Sequence, residues 1–92
     1  MTATAHERTV TIVNRFGLHA RPAAEFVKLA GTFRAEVMVR KDELEVNGKS
    51  IMGMMMLAAE CGSSIVIRAL GSDAEAAIEA LAGLVASRFG EE

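Results

Sequence analysis

The 92-residue sequence has no Trp, no Tyr, one Cys and one Pro, and its only aromatics are four Phe. So few rings cannot build a platform on which nucleobases stack. Lys plus Arg number 10 against 12 for Asp plus Glu, so no basic field exists to hold a phosphate backbone either. Composition therefore argues against nucleic acid as a partner. Cys61 alone can close no internal disulfide and build no structural zinc site, which fits a reducing, cytoplasmic setting. It precedes Gly62 with no basic neighbour and reads as a small buried filler. The longest nearly apolar run, Ile51–Ala59, falls far short of the ~20 residues that cross a bilayer. Met1–Arg8 is polar and lacks the apolar stretch of a secretory signal. Neither a glycine-rich phosphate loop nor an acidic metal cluster is visible, so no cofactor and no metal are expected.

What is present is globular. Apolar residues make up 51% and charged residues 24%, in a length that suits one domain. Residues 1–8 carry no periodicity and read as a flexible leader before a domain spanning 9–92. Thr9–Val13 is β-branched and alternating, the pattern of a strand. Asn14-Arg15-Phe16-Gly17 breaks it. From His19 or Ala20 the period becomes helical, with Ala20, Ala23, Ala24, Val27 and Ala30 on one stripe widened by Phe26, and Gly31 as the stop. Pro22 fixes the register, because proline is tolerated in a first turn, where its missing N–H has no intrahelical partner.

Ala35–Arg40 and Glu43–Val46 form a hairpin candidate, followed by the turn dipeptide Asn47-Gly48. Ile51–Ala59 is a short helix ending near Gly62, and Ser64–Leu70 a strand with Ile65 and Ile67 on one face. Ser72 and Glu75 have capping-box spacing. They open a helix with Ile78, Leu81, Ala82, Val85 and Phe89 on its stripe and Gly90 at its end. The order β-α-β-β-α-β-α predicts an α+β fold, one sheet with helices on a single face.

His6 falls in the expected leader, where a solvated ring is the plain reading. His19 stands between a glycine-containing loop and a helix start. The first N–H groups of a helix lack internal acceptors and favour anions. Arg21 adds a guanidinium fork suited to phosphate oxygens. Both features disfavour an imidazolium and welcome a phosphoryl group on the ring, as a phosphohistidine intermediate needs. On spacing alone, a His that merely caps the helix explains these residues equally well.

Gly17-Leu18-His19-Ala20-Arg21-Pro22-Ala23-Ala24 resembles the active-site segment of HPr, the histidine-containing phosphocarrier of the bacterial phosphoenolpyruvate-dependent sugar phosphotransferase system. Asn47-Gly48-Lys49-Ser50-Ile51-Met52-Gly53 is similar to the same family's regulatory-serine region, and the resemblance spans about residues 8–90. It implies an open-faced β-sandwich, four antiparallel strands with three helices on one side. His19 would carry phosphoryl on Nδ1, received from Enzyme I and passed to Enzyme IIA, with Arg21 as the phosphate-neighbouring arginine. Ser50 would be the residue that an ATP-dependent kinase phosphorylates in many bacteria. HPr kinase/phosphorylase and transcriptional regulators are further partners implied by the family. The sequence departs from the usual pattern in its longer leader and in Phe16, a form also met in the nitrogen-related branch.

Four of six methionines cluster at 52, 54, 55 and 56. On a helical wheel Ile51, Met54, Leu57 and Ala58 share the face expected to pack on the sheet, while Met52, Met55 and Met56 point away. Exposed methionines adapt to several partners, so Met52, Met55 and Met56, with Ala20 and Ile51 beside them, form the expected docking surface. Ser50, before this helix, is also a natural N-cap.

These features favour a phosphoryl carrier acting as a monomer over a self-sufficient enzyme. A mainly regulatory binding module of a nitrogen-related or incomplete phosphotransferase system is the alternative. A hydrolase with His19 as general base is disfavoured because no carboxylate is placed in sequence to orient the ring.

Overall fold

A computed structural model describes residues 5–91. Four strands, β1 (Ala5–Thr11), β2 (Glu36–Lys41), β3 (Leu44–Asn47) and β4 (Ser64–Leu70), form one sheet in the order β1-β4-β2-β3, every neighbouring pair antiparallel. Three helices, α1 (Ala20–Ala30), α2 (Ile51–Met56) and α3 (Ala74–Ala86), lie on one side of it. Side-chain alternation explains the layering. Val37, Val39, Val46, Ile65, Ile67 and Ala69 are buried beneath the helices, while Glu36, Arg40, Glu45 and Arg68 stay in solvent on the other face. Phe26 of α1, Met54 of α2 and Leu81 of α3 complete the core, each wholly buried. Burying side chains of this size contributes roughly 1.5–3 kcal/mol each. This is the expected α+β architecture.

Several boundaries differ from the sequence reading. β1 begins at Ala5, not Thr9, because Ala5–Arg8 pair with Ile67–Leu70 of β4. Half of the expected leader is thus an edge strand, and Arg8 reaches Glu79 of α3 in an ion pair. His6 sits in this strand opposite Ala69 and is half-buried rather than fully solvated. Residues 1–4 lie outside the described residues. The hairpin turn is Asp42-Glu43, one residue later than expected, with Asp42 at φ 55, a conformation that Asp tolerates better than most residues.

The capping box at Ser72 does not form. Asp73 is the N-cap of α3, and its carboxylate instead accepts from the N–H groups of Arg34 and Ala35, both at 2.8 Å. The Arg34 bond, reinforced by that of Ala35 and by the Lys49 charge, outweighs desolvation and lowers the Asp73 carboxyl below its ordinary value. α2 stops at Met56, and among its expected packing residues Met54 and Leu57 are buried but Ile51 and Ala58 are exposed. Cys61 is exposed and fills no core space. α3 stops at Ala86. Phe89 is buried as its stripe predicted, but through a left-handed closing turn, with Arg88, Phe89 and Gly90 at φ 62, 55 and 74.

Candidate functional site

The site lies where the segment after β1 meets the start of α1. Gly17 has φ +69, and a Cβ there would stand 2.5 Å from the Ala59 carbonyl oxygen. No other residue type fits that approach without displacing the loop after α2. Leu18 N–H donates to the same carbonyl at 2.9 Å, and Leu18 itself is buried. These contacts fix the backbone that delivers His19.

His19 is the N-cap of α1, in extended conformation, and its side chain makes no capping hydrogen bond. Its carbonyl accepts from Ala23. Pro22 has no N–H, and the N–H groups of Ala20 and Arg21 have no acceptor among the described residues. The helix end is therefore open to an anion, as the position of Pro22 predicted.

The closing turn brings a residue that no local pattern announced. Glu91 places Oε2 at 2.9 Å and Oε1 at 3.2 Å from His19 Nε2. Arg21 donates through Nε to Glu91 Oε2 at 2.9 Å and through Nη2 to the Phe89 carbonyl at 2.8 Å. Buried Asn14 donates through Nδ2 to Glu91 Oε1 at 3.0 Å and to the Gly17 carbonyl at 2.7 Å. Partial burial of the Glu91 side chain tends to raise its carboxyl, but the hydrogen bonds from His19, Asn14 and Arg21 prevail and hold it below its ordinary value.

A carboxylate only accepts, so the His19 nitrogen facing it carries the proton. In the neutral ring Nδ1 is then the lone-pair nitrogen, and it has no hydrogen bond among the described residues. The expectation that no carboxylate orients the imidazole is thereby corrected. Seventy-two positions separate Glu91 from His19, and only the left-handed turn at 88–90 joins them. Non-glycine residues in that conformation cost roughly 1–2 kcal/mol each. Burial of Phe89 offsets the strain.

Phe16 is 71% exposed and meets the His19 ring edge-on, with centroids 6.3 Å apart. Arg15 lies over Phe16, its Cζ 5.4 Å from the ring centroid. Arg15, Phe16, His19 and Glu91 line one surface depression. Ala20, the first residue of α1, is exposed.

Ser50 belongs to a second place. Its Oγ accepts from Gly53 N–H at 3.1 Å and caps α2. Lys49 Nζ donates to the Phe33 carbonyl at 2.8 Å, tying the cap to the loop after α1. Beyond it Ile51, Met52, Met55 and Met56 are exposed, Met52 by 75%.

The family pattern described as the PTS HPr component phosphorylation site matches residues 6–87. The chain belongs to the HPr family. The phosphocarrier protein HPr of Cupriavidus necator is 46% identical over 85 residues, 92% of this chain and 96% of that protein. The phosphocarrier protein NPr of Shewanella violacea is 40% identical over 85 residues, covering 92% and 93%. HPr of Thermoanaerobacter tengcongensis superposes with a TM-score of 0.91 at 49% identity, covering 95% of this chain and 98% of that one, and has also been solved as a dimer. HPr proteins are carriers rather than catalytic enzymes, which sets the hydrolase reading aside despite Glu91. Among the described residues no helix is long and apolar enough to cross a membrane, and no cluster of three metal-binding side chains occurs.

Proposed function

We propose that His19 accepts a phosphoryl group on Nδ1 from phosphorylated Enzyme I and passes it to the sugar-specific Enzyme IIA. The observation that carries this reading is the asymmetry of the ring. Nε2 is held by Glu91, while Nδ1 has no hydrogen bond among the described residues, and His19 is the N-cap of a helix start without a side-chain cap, two residues before Arg21. An anionic group bound there meets free N–H donors and a positive charge. Arg21 is engaged by Glu91 and the Phe89 carbonyl, so in this reading it turns toward the phosphoryl group only once the ring is loaded.

Docking in this proposal uses Ala20 with Ile51, Met52, Met55 and Met56, an apolar surface beside the site. Ser50 is the regulatory position. Phosphate on its hydroxyl adds roughly −1.5 to −2 charge at pH 7 at the border of the methionines, where a partner must desolvate it. The chain serves these partners as a monomer in the cytoplasm. Incubation with phosphoenolpyruvate and Enzyme I, followed by intact mass, tests the reading. One acid-labile phosphoryl group, absent from His19→Ala, is expected. A parent protein that takes up none would favour the regulatory module.

A further inference from the structure

We propose that Asn14 is a positioning residue for phosphoryl transfer, acting through Glu91 to keep the proton of His19 on Nε2 and the lone pair on Nδ1. The inference rests on the carrier reading of His19 and adds a residue and a device to it. Asn14 is 0% exposed and lies beneath the site. Both partners of its Nδ2, the Gly17 carbonyl at 2.7 Å and Glu91 Oε1 at 3.0 Å, can only accept, so the amide is used purely as a donor. Its Oδ1 is buried with no partner, and an unsatisfied buried acceptor is a penalty that a residue needed only for packing would avoid.

The geometry makes a three-member chain. Asn14 holds Oε1 of Glu91, which also lies 3.2 Å from His19 Nε2, and Oε2 stands against His19 Nε2 and Arg21 Nε, both at 2.9 Å. Through its second bond Asn14 also holds the Gly17 carbonyl, two residues before His19. One buried amide thus sets the distance between the backbone that carries the imidazole and the carboxylate that orients it.

During transfer the Nδ1 lone pair forms a bond to phosphorus. The bond from phosphorus to the donor breaks, its electron pair remaining on the donor. The ring then bears phosphoryl on Nδ1 and a proton on Nε2, and the positive charge so created faces Glu91. Onward transfer reverses these changes. A Glu91 that is free to swing would supply neither the tautomer nor the counter-charge on time.

The tautomer ratio of His19, read by ring 15N shifts above the titration range of the imidazole, tests the proposal. Asn14→Ala should lower the ratio of Nε2–H to Nδ1–H about three- to tenfold, the span of one net hydrogen bond. Glu91→Ala should lower it at least as far, and the double variant no further than Glu91→Ala alone. Should Asn14→Ala fail to fold, Asn14→Ser, which can serve only one of the two acceptors, should give an intermediate ratio. A ratio that ignores Asn14, or effects that add in the double variant, overturns the proposal. Phosphoryl uptake is followed on the same samples. A parent that is phosphorylated on His19 while the ratio ignores Asn14 removes only this proposal. A parent that takes up no phosphoryl group removes the carrier reading, and the transfer role of Asn14 with it.

Discussion

At the start of α2 the Ser50 hydroxyl accepts from Gly53 N–H and closes the helix end with its own side chain, whereas His19 at the start of α1 makes no such bond and leaves two N–H groups open. Both positions precede a helix whose core face is buried, and both carry a residue proposed to take phosphate. They differ in what surrounds them. The Ser50 end is satisfied locally and borders an apolar surface, so added charge there changes what can dock. The His19 end is unsatisfied locally, and its charges come from far along the chain, Arg21 and Glu91, so added charge there enters a place built around ions. In the proposed reading a phosphate is cargo at one end and a signal at the other.

The strongest way to break the contrast is at His19. His19→Ala should abolish phosphoryl uptake, read by intact mass, with the melting temperature nearly unchanged because the side chain is exposed. Arg21→Ala should slow uptake roughly ten- to hundredfold, the loss of a charge-assisted hydrogen bond worth ~1.5–3 kcal/mol, and stopped-flow transfer rates would show it.

The α2 surface sharpens the comparison from the other side. Met54→Asp should destabilise the domain by several kcal/mol, since Met54 is wholly buried and its replacement would be an unpaired carboxylate. Met52→Asp and Met55→Asp should leave thermal unfolding nearly unchanged while weakening association with Enzyme I. Equal losses of melting temperature in all three would refute the assignment of faces. At Ser50 the expected effects separate. Ser50→Asp should raise the carrier concentration needed for half-maximal transfer without lowering the melting temperature. Ser50→Ala should transfer normally but lose about 1 kcal/mol of stability with the cap, roughly 4–8 °C in a domain this size.

The smallest effect is in pH. The carboxyls of Asp73 and Glu91 are both lowered in the fold, so each contributes stability that is complete above its unfolded pKa and is lost as pH falls through the folded one. Asp73→Asn should therefore unfold at lower temperature than the parent near neutral pH, with the gap closing in acid. A gap independent of pH would detach the Asp73 carboxylate from the stability of the loop it holds.

Most of the fold was legible because the strands alternate and the long helices carry single stripes. The site was half legible. His19 and Arg21 are neighbours in sequence, and Pro22 marks the helix start between a loop and a stripe. Glu91 had no signal, because a left-handed turn containing Phe89 is not a conformation that its residues advertise. Asn14 looked like a strand breaker, since nothing local says that its amide faces a carboxylate 77 positions away. Capping chemistry misled at Ser72, where long-range bonds to the Asp73 carboxylate replaced the local motif. β1 was read short because Ala5–Arg8 lack alternation, their pairing being supplied by β4. Ala58 follows the wheel only while α2 is helical, and at φ 49 it lies past the helix end, whereas Ile51, the first residue of α2, is exposed at the helix start.

The central claim is that the ring is pre-set, with Nε2 held by Glu91 and Nδ1 offered to phosphorus. Phosphorus NMR of the protein after incubation with phosphoenolpyruvate and Enzyme I tests it most directly. The account predicts one acid-labile phosphohistidine resonance with phosphorus on Nδ1 of His19, absent from His19→Ala. Phosphorus on Nε2, or on any residue other than His19, would contradict it.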